Sequence, residues 1–437
     1  MKRTPAYFAS MGFFGRWAMD ETPQTISCRC CIVGGGPAGM MLGFLLARAG
    51  VDTIVLEKHA DFLRDFRGDT IHPSTLEAMH DLGLLEDFLK LPHQELRQGE
   101  VKIGDVTIPF VDFSHLPVHA KFVALMPQWD FLEFLAERAK RYPCFRLLMS
   151  AEVDGLIGED GRVAGVAAKT KDGQLTIRAD LTIGADGRHS LVRRQAGFVP
   201  LDIGAPMDAL WFRLSRRTTD AGALLFRVDA GQILVVFNRG DYWQCAYVIA
   251  KGSAERLKAQ GIGSLRHHIS ALAPFLADRV DGLESFDDVK LLTVAVDRLP
   301  LWHKPGLLCI GDAAHAMSPV GGVGINLAIQ DAIAAANILA LPLSSEGPLS
   351  DRLLAQVQKR REWPTKVIQA IQVFIQKNVI SRVLGGTGKI APPRFLRLFI
   401  TFPVLRRLPA RLMGLGVRRE RVTSPARAIS QAAEQLH

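Results

Sequence analysis

The feature that most restricts the fold of this chain is a glycine-rich turn close to its start. Gly34, Gly36 and Gly39 have the spacing GxGxxG, with apolar residues 30–33 before them and helically spaced apolar residues after them up to Gly50. In a strand–turn–helix unit the first glycine permits a tight turn, the second lets the backbone approach a pyrophosphate, and the third lets helix and strand pack closely. The pattern therefore predicts a buried parallel strand and a helix whose N-terminus faces phosphate groups.

An acidic residue at the end of the next apolar run strengthens this prediction. Residues 52–57 form a second predicted strand, which ends at Glu57, 23 residues after Gly34. A carboxylate at this position accepts hydrogen bonds from the ribose hydroxyls of a dinucleotide. The start of the chain is thus predicted to bind an ADP-containing cofactor; the alternative is a glycine turn without a ligand.

Two further strand–turn–helix patterns follow along the chain. The second motif predicts a strand over residues 181–183 and a sharp turn at Asp186 and Gly187. In the third motif Asp312 ends a strand, where its carboxylate can bind a polyol hydroxyl. The glycines of the loop over residues 319–326 let its backbone lie against a flat ring, and the helix that follows directs N–H groups at a carbonyl that gains negative charge.

Taken in this order over residues 28–345, the three motifs resemble the FAD-dependent aromatic hydroxylases of the para-hydroxybenzoate hydroxylase type, which include the ubiquinone-biosynthesis hydroxylases. The resemblance implies an α/β fold: a Rossmann-like FAD-binding domain, an inserted antiparallel β-sheet substrate domain and a helical C-terminal tail. It also implies an NADH- or NADPH-driven monooxygenase that uses O2 to hydroxylate an aromatic, quinone-like or quinolone-like ring through a flavin hydroperoxide. The alternatives are a prenyl-lipid reductase of the same superfamily and a non-catalytic flavin-binding sensor.

The resemblance also assigns cofactor contacts to individual residues. The first motif and Glu57 would hold the ADP part of FAD, Asp312 the ribityl chain, and the glycine loop the isoalloxazine ring. Asp186 belongs to a motif that the family associates with both FAD and the nicotinamide donor. For Arg67 and Gln128 a surface or local capping role is the alternative. The cofactor-binding residues implied in this way are Gly34, Gly36, Pro37, Ala38, Gly39, Glu57, Lys58, Arg67, Gln128, Val153, Asp186, Gly311, Asp312, Pro319, Gly322, Gly324, Ile325 and Asn326.

The composition changes between the second and third motifs. Short runs rich in β-branched and aromatic residues, separated by turn clusters, predict an antiparallel sheet. The family resemblance implies that this sheet binds the substrate and that one of its faces covers the flavin. The predicted strands are residues 210–214, 223–228, 232–238, 242–250 and 288–296, joined by residues 101–111.

Two residues are candidates for a catalytic role. Arg213, in the predicted sheet, would either pair with an acidic substrate or lie on the outer face. His72 would either take part in catalysis or stabilise a local turn. Tyr247 is expected in the core, and His315 is expected to contact a helix start.

These patterns divide the chain into four predicted regions. They are a flexible leader (1–24), a discontinuous FAD-binding domain (25–99, 120–199 and 300–345), a substrate-binding β-sheet domain (100–119 and 200–299) and a basic helical C-terminal region (346–437).

The positive charge of the chain is concentrated in its last region. From Asp351 onward there are 17 Lys and Arg against 4 Asp and Glu, a balance of +13, whereas the preceding residues have 36 against 40, a balance of −4. Basic and bulky apolar residues alternate over residues 392–412, which predicts either contact with an anionic membrane surface or a packing helix with a basic outer face. The predicted location is cytoplasmic, with the inner membrane face as the alternative site of contact.

Composition excludes several other classes of protein. Hydrophobic residues are 48% and charged residues 22% of the chain, which is typical of globular proteins and excludes disorder of the whole chain. The six cysteines include one CxxC spacing, from Cys28 to Cys31, but no second such pair, and they predict neither a zinc site nor a disulfide framework. No metal, no nucleic acid and no transmembrane helix is expected, and the oligomeric state stays open.

Overall fold

The computed structural model describes residues 24–63, 70–220, 222, 224–229, 231–345, 347, 349–386, 388 and 391–427. The predicted leader, apart from Gln24, and the candidate Arg67 lie outside the described residues.

The described chain alternates strands and helices. The strands are β1 (Gln24–Val33), β2 (Thr53–Leu56), β3 (Thr70–Ile71), β4 (Gln94–Leu96), β5 (Gln98–Ile103), β6 (Val106–Asp112), β7 (Val123–Leu125), β8 (Phe145–Leu148), β9 (Glu152–Glu159), β10 (Arg162–Thr170), β11 (Gly173–Gly184), β12 (Leu201–Asp202), β13 (Met207–Ser215), β14 (Leu224–Asp229), β15 (Gln232–Asn238), β16 (Tyr242–Ala250), β17 (Lys290–Leu292), β18 (Asp297–Arg298), β19 (His303–Lys304) and β20 (Leu307–Cys309). The helices are α1 (Pro37–Arg48), α2 (Pro73–Asp81), α3 (Leu85–Phe88), α4 (Gln128–Lys140), α5 (Leu191–Gln195), α6 (Ala254–Ala259), α7 (Ile262–Leu272), α8 (Gly324–Ser344), α9 (Asp351–Ile375), α10 (Ser381–Leu384), α11 (Arg394–Thr401) and α12 (Arg407–Leu415).

The first sheet has the order β19–β20–β11–β1–β2–β8, with β10 paired to β11 and β9 paired to β10. Its central strands are parallel: Cys31 of β1 lies opposite Ile54 of β2 and Thr182 of β11. The last four residues of β1 are buried, as expected for a parallel strand covered on both faces. The predicted α/β fold with a Rossmann-like domain is therefore confirmed.

The second sheet has the order β17–β13–β16–β15–β14–β5–β6. The antiparallel strands predicted between the second and third motifs are present, but the strand predicted over residues 288–296 forms only at Lys290–Leu292. One face of this sheet packs against α6 and α7 and contains Phe212, Trp243 and Tyr247. Tyr247 is thus a core residue, as predicted.

The C-terminal region is helical, as predicted, but part of it is packed into the body of the enzyme. Ala410 of α12 is fully buried and, with Leu415, joins a cluster formed by Val111 and Phe113 at the end of β6. Leu412 of α12 packs against a second cluster below the glycine loop. The buried face of α12 therefore agrees with the packing helix, one of the two alternatives predicted for residues 392–412.

Within the part of the chain that the structure describes, one helical segment is long and apolar enough to cross a membrane. It covers Val320–Ser344, but 72% of its apolar stretch is buried inside the protein. Burial of this extent is typical of a core helix, so the segment is weak evidence for a transmembrane span.

Candidate active site

The N-terminus of α1 is shaped by glycines that no other residue can replace without a backbone shift. Gly34 has φ +109°, and a Cβ added to it would lie 2.4 Å from the carbonyl oxygen of Ala185. A Cβ on Gly39 would lie 1.9 Å from the carbonyl oxygen of Gly34. At Gly36, in contrast, no described atom lies within 4 Å of an added Cβ. The open space at this helix start, which no side chain caps, fits a pyrophosphate.

Glu57 directly follows β2 and is held beside the glycine turn. Its Oε2 accepts a hydrogen bond from the N–H of Gly35 at 3.0 Å, and its Oε1 accepts one from the N–H of His59 at 3.1 Å. The next residue, Lys58, is exposed. The carboxylate is thereby oriented at the carboxyl end of the strand, which is where a ribose is bound in this fold.

Asp186 of the second motif lies directly against the first motif. A Cβ on Gly34 would be 2.9 Å from the Cα of Asp186. Its Oδ2 accepts hydrogen bonds from the N–H groups of Leu191 and Val192 at 2.7 and 3.1 Å and so caps α5. Its Oδ1 is buried and has no hydrogen-bond partner among the described residues. Since buried carboxylate oxygens are normally hydrogen-bonded, this atom fits a contact with a bound donor group.

The third motif meets the other two at the same helix end. Gly311 has φ +58°, and a Cβ added to it would lie 3.2 Å from the Cβ atoms of both Ala38 in α1 and Ala328 in α8. The neighbouring Asp312 is partly exposed, and one of its oxygens lies 3.5 Å from the guanidinium of Arg188 in the second motif. Residues from all three motifs therefore surround the start of α1.

The glycine loop before α8 is fixed against β3. A Cβ on Gly322 would lie 2.7 Å from Oγ1 of Thr70, and this hydroxyl donates to the carbonyl of Gly322 at 3.0 Å. The side chain of Asn326 accepts hydrogen bonds from the N–H of His72 at 2.9 Å and from the hydroxyl of Thr75 at 2.7 Å. The sequence predicted a backbone role for Asn326, whereas the structure also shows its side chain holding the loop.

His72 lies at the junction of this loop and the C-terminal region. Its ring is 1% exposed, and its Nδ1 lies 2.7 Å from the carbonyl oxygen of Met413 in α12. Burial lowers the pKa of His72 to about 4, and the contact with Met413 opposes this shift only in part. The neutral ring therefore donates from Nδ1, and Nε2 is left as an acceptor, 3.6 Å from a Cβ added to Gly322.

A buried ionic network connects Gly311 to the C-terminal region. Asp331 of α8 accepts hydrogen bonds from the N–H of Gly311 at 3.1 Å, from Nε2 of His315 at 2.6 Å and from Nε of Arg361 at 2.9 Å. Arg361 also lies 3.3 Å from Glu420. Burial alone would raise the pKa of Asp331, but His315 and Arg361 hold it below its usual value. The expected helix-start contact of His315 is therefore wrong, because the ring binds Asp331 in the middle of α8.

The remaining predicted cofactor residues occupy the rim of the same region or neighbouring elements. Gln128 begins α4 and is half-buried, and Val153 is buried in β9. Pro319 is exposed before the glycine loop, whereas Gly324 and Ile325 begin α8 and are half-buried.

The second sheet presents aromatic side chains on the face opposite α6 and α7. Because side chains alternate along a strand, Trp211 lies on this face, where its ring stacks on Phe237 with centroids 6.0 Å apart and planes 16° apart. Leu224, which is opposite Phe237 in register, packs in the cluster that includes Met413. The aromatic face is therefore next to the segment that contacts His72.

Arg213 lies on the same face of β13 as Trp211. It is exposed, and its guanidinium lies 4.7 Å from the ring of Tyr242. The structure leaves its predicted role open.

Three contacts in this region were not predicted: Thr70, Met413 and the network around Asp331. Asp331 lies in the helix that follows the glycine loop. An acidic residue among the apolar residues of this helix was the available sequence signal. Met413 contributes a backbone carbonyl, which any residue could provide, so the sequence contained no signal for it.

Comparison with known proteins agrees with this geometry. The family described as FAD binding domain matches residues 27–371. The chain is 34% identical over 364 residues to 6-methylpretetramide 4-monooxygenase of Streptomyces rimosus, covering 83% of this chain and 85% of that protein.

Two solved structures illustrate the shared fold. PqsL of Pseudomonas aeruginosa, a probable FAD-dependent monooxygenase, has 22% identity and a TM-score of 0.70, with 82% of this chain and 98% of that one covered. The p-nitrophenol 4-monooxygenase PnpA of Pseudomonas putida DLL-E4 has 20% identity and a TM-score of 0.71, with 90% and 100% covered.

Proposed function

We propose that this chain, which belongs to the FAD binding domain family, hydroxylates an aromatic compound with an extended ring system. The predicted general function is confirmed: the chain is an FAD-dependent monooxygenase, an oxidoreductase that uses NAD(P)H and O2 and acts on a small aromatic substrate. The proposal concerns the size of the ring system and the residues that hold it.

The observation that supports this proposal is the aromatic face of the second sheet. The stacked pair of Trp211 and Phe237, together with Phe226 and Phe110 in edge-to-face contact at 6.0 Å, offers a broad apolar surface. Flat aromatic side chains favour stacking with a flat ligand. The relative from Streptomyces rimosus, whose name gives 6-methylpretetramide as its substrate, supports the same class.

The residues of the three motifs fit FAD. Gly34, Gly36 and Glu57 would hold its ADP part, Asp312 the ribityl chain, and the loop before α8 the ring. When bound, FAD takes electrons from NAD(P)H and activates O2 for transfer of one oxygen atom to the substrate.

The chain itself would orient the substrate and exclude water. We assign to Nε2 of His72 the role of a hydrogen-bond acceptor at the ring end of the site, since its Nδ1 is committed to Met413. Arg213 would pair with an acidic group on the substrate. The α12 helix would limit the entry of water, which otherwise competes with the reaction.

A comparison of phenols with one to four fused rings tests the proposal. Oxygen uptake and NADH or NADPH oxidation are measured for each compound. We expect stimulation to rise with ring number, and Trp211→Ala to raise KM for the largest substrates far more than for the smallest. Trp363→Ala, at an exposed position of α9, is the matched control. Equal stimulation of oxygen uptake by single-ring phenols would contradict the proposal. Formation of a reduced product without oxygen uptake would instead favour a reductase.

We also propose a cytoplasmic enzyme that touches anionic membranes through the outer face of its C-terminal region. Residues 363–419 contain no Asp or Glu. Large apolar side chains are exposed on this region at Leu398, Phe402, Val404 and Leu408. A basic surface with exposed apolar side chains suits a membrane interface.

A further inference from the structure

A cluster of two histidines and one glutamate lies at the C-terminal end of α2. Glu77 and His80 are three residues apart on this helix, and His119 comes from the segment between β6 and β7. One ligand atom from each of the three side chains lies within 4.8 Å of the other two. Glu-x-x-His on one helix directs both side chains to the same side, a spacing that metal-binding helix bundles use.

One distance within the cluster matches the distance between two ligands of one metal ion. Oε2 of Glu77 lies 3.1 Å from Nδ1 of His119. The rings of His80 and His119 are stacked, with centroids 3.4 Å apart and planes 12° apart. Because an imidazole nitrogen binds a metal in the plane of its ring, the exposed ring of His80 would turn out of this stack to share an ion with His119. Two ligands of a tetrahedral ion with bonds of 2.0–2.1 Å are about 3.3 Å apart.

We propose that Glu77, His80 and His119 bind a divalent cation of the zinc class, with water completing the coordination. Imidazole and carboxylate ligands suit Zn2+, Co2+ and Ni2+, and two histidines with one glutamate form a known zinc ligand set. The ion takes the place of the proton between Nδ1 of His119 and the carboxylate. No cysteine takes part, which explains why the cysteine pattern gave no signal for this site.

The groups around Glu77 determine which of its two carboxylate oxygens is available to the ion. Oε2 of Glu77 also accepts a hydrogen bond from the backbone N–H of His119 at 3.0 Å, which fixes the loop against the helix without the ion. Its Oε1 lies 3.9 Å from the guanidinium of Arg419. The arginine therefore neutralises one oxygen, and the ion is expected to bind through the other with moderate affinity.

The site would be structural and not catalytic. It connects the segment after β6 to α2, and the first turn of α2 is tied to the loop before α8 through Asn326. A bound ion would therefore stabilise the join between the second sheet and the FAD-binding part of the chain.

Metal titration of the flavin-loaded, full-length protein tests the proposal. After treatment with EDTA and dialysis, Zn2+ binding is measured by calorimetry. Co2+ binding is measured by its visible absorption at wavelengths longer than those of the flavin bands. We expect one equivalent with a tetrahedral Co2+ spectrum and a Zn2+-dependent rise in Tm. His80→Ala and His119→Ala should each weaken binding at least tenfold and remove the rise in Tm.

His267→Ala is the matched control, because His267 is also exposed and also lies beside another histidine, in α7. It should bind Zn2+ as the unmodified protein does. Flavin content, which the alanine variants should retain, shows that they are folded. Absence of Zn2+ binding at millimolar concentration, or binding that survives both cluster variants or is lost in His267→Ala, would overturn the proposal.

Discussion

The glycine turn before α1 and the helix α12 lie on two sides of the same site, yet they are constrained in different ways. At Gly34 and Gly39 an added Cβ would overlap backbone atoms, so the residue type itself is determined. At Met413 the contact with His72 is made by a carbonyl, which every residue has. The geometry at the glycine turn thus depends on residue identity, whereas the geometry at α12 depends only on the position of the backbone.

Removal of α11 and α12 is expected to have the largest effect. A chain that ends at Ala391 would expose Phe113 and Ile368 and would leave Arg361 without Glu420. Loss of one partner from a buried ionic network costs about 3–5 kcal/mol. We expect loss of flavin and aggregation, measured by the ratio of absorbance at flavin and protein wavelengths and by gel filtration.

A chain that ends at Arg427 is the control for this truncation. It should keep its flavin, because all contacts described for α12 and Glu420 remain. If the chain ending at Ala391 also stays yellow and active, then the packing of α12 has no role in the flavin site. The residues after Ala391 would then affect only where the enzyme is located in the cell.

Gly36→Val tests the opposite end of the site. No described atom lies within 4 Å of a Cβ at Gly36, so the variant should fold, but its side chain would occupy the space of the pyrophosphate. We expect a folded, colourless protein, measured by circular dichroism and flavin absorbance. Gly263→Val, at another open position, in α7, should remain yellow. Full FAD uptake by Gly36→Val would mean that the phosphates bind elsewhere.

The contrast between these regions explains how much could be predicted. Glycines at strained turns and the acid that ends β2 leave a sequence pattern, because backbone geometry and ribose chemistry demand those residues. The same holds for the alternating pattern of β13 to β16. The link from Asp331 through Arg361 to Glu420 spans 90 positions and depends on packing of α8 against α9, which no local pattern encodes.

His72 lies between the glycine loop before α8 and the helix α12. The pH dependence of stability tests whether its ring is buried between them. Its pKa is about 4 in the folded protein against about 6.5 in the unfolded chain. Its contribution to stability is therefore complete above pH 6.5 and is lost as the pH falls toward 4, by about 3 kcal/mol in total. His72→Asn retains a donor for the carbonyl of Met413 but does not titrate, so denaturant unfolding should depend less on pH in this range. An unchanged pH dependence would show that His72 is not the titrating group.

Asp312→Ala should have a smaller effect than Gly36→Val, because it removes one contact and adds no obstacle. The lost charge-assisted hydrogen bond to the ribityl chain is worth about 1.5–3 kcal/mol, a roughly 10- to 150-fold weaker affinity for FAD. Fluorescence titration of the apoprotein measures the change. Asp172→Ala, in the exposed turn between β10 and β11, should leave the affinity unchanged. Equal affinities in both variants would place the ribityl chain away from Asp312.

The smallest effect concerns the outer face of the C-terminal region, which truncation cannot test because it also removes the buried face. Phe402 and Leu408 are 54% and 71% exposed, so Phe402→Ser combined with Leu408→Ser should preserve flavin content while weakening adsorption to membranes. Each nearby Lys or Arg contributes about 1 kcal/mol toward an anionic surface, and salt screens this attraction. Cosedimentation with vesicles containing phosphatidylserine should therefore fall several-fold in the double variant and fall for both proteins at high salt. Val199→Ser combined with Leu201→Ser, at exposed positions in and just before β12, should sediment like the unmodified protein. If the unmodified protein does not bind the vesicles at low salt, the exposed face of α11 and α12 is not a membrane-binding surface, and the proposed membrane contact is wrong.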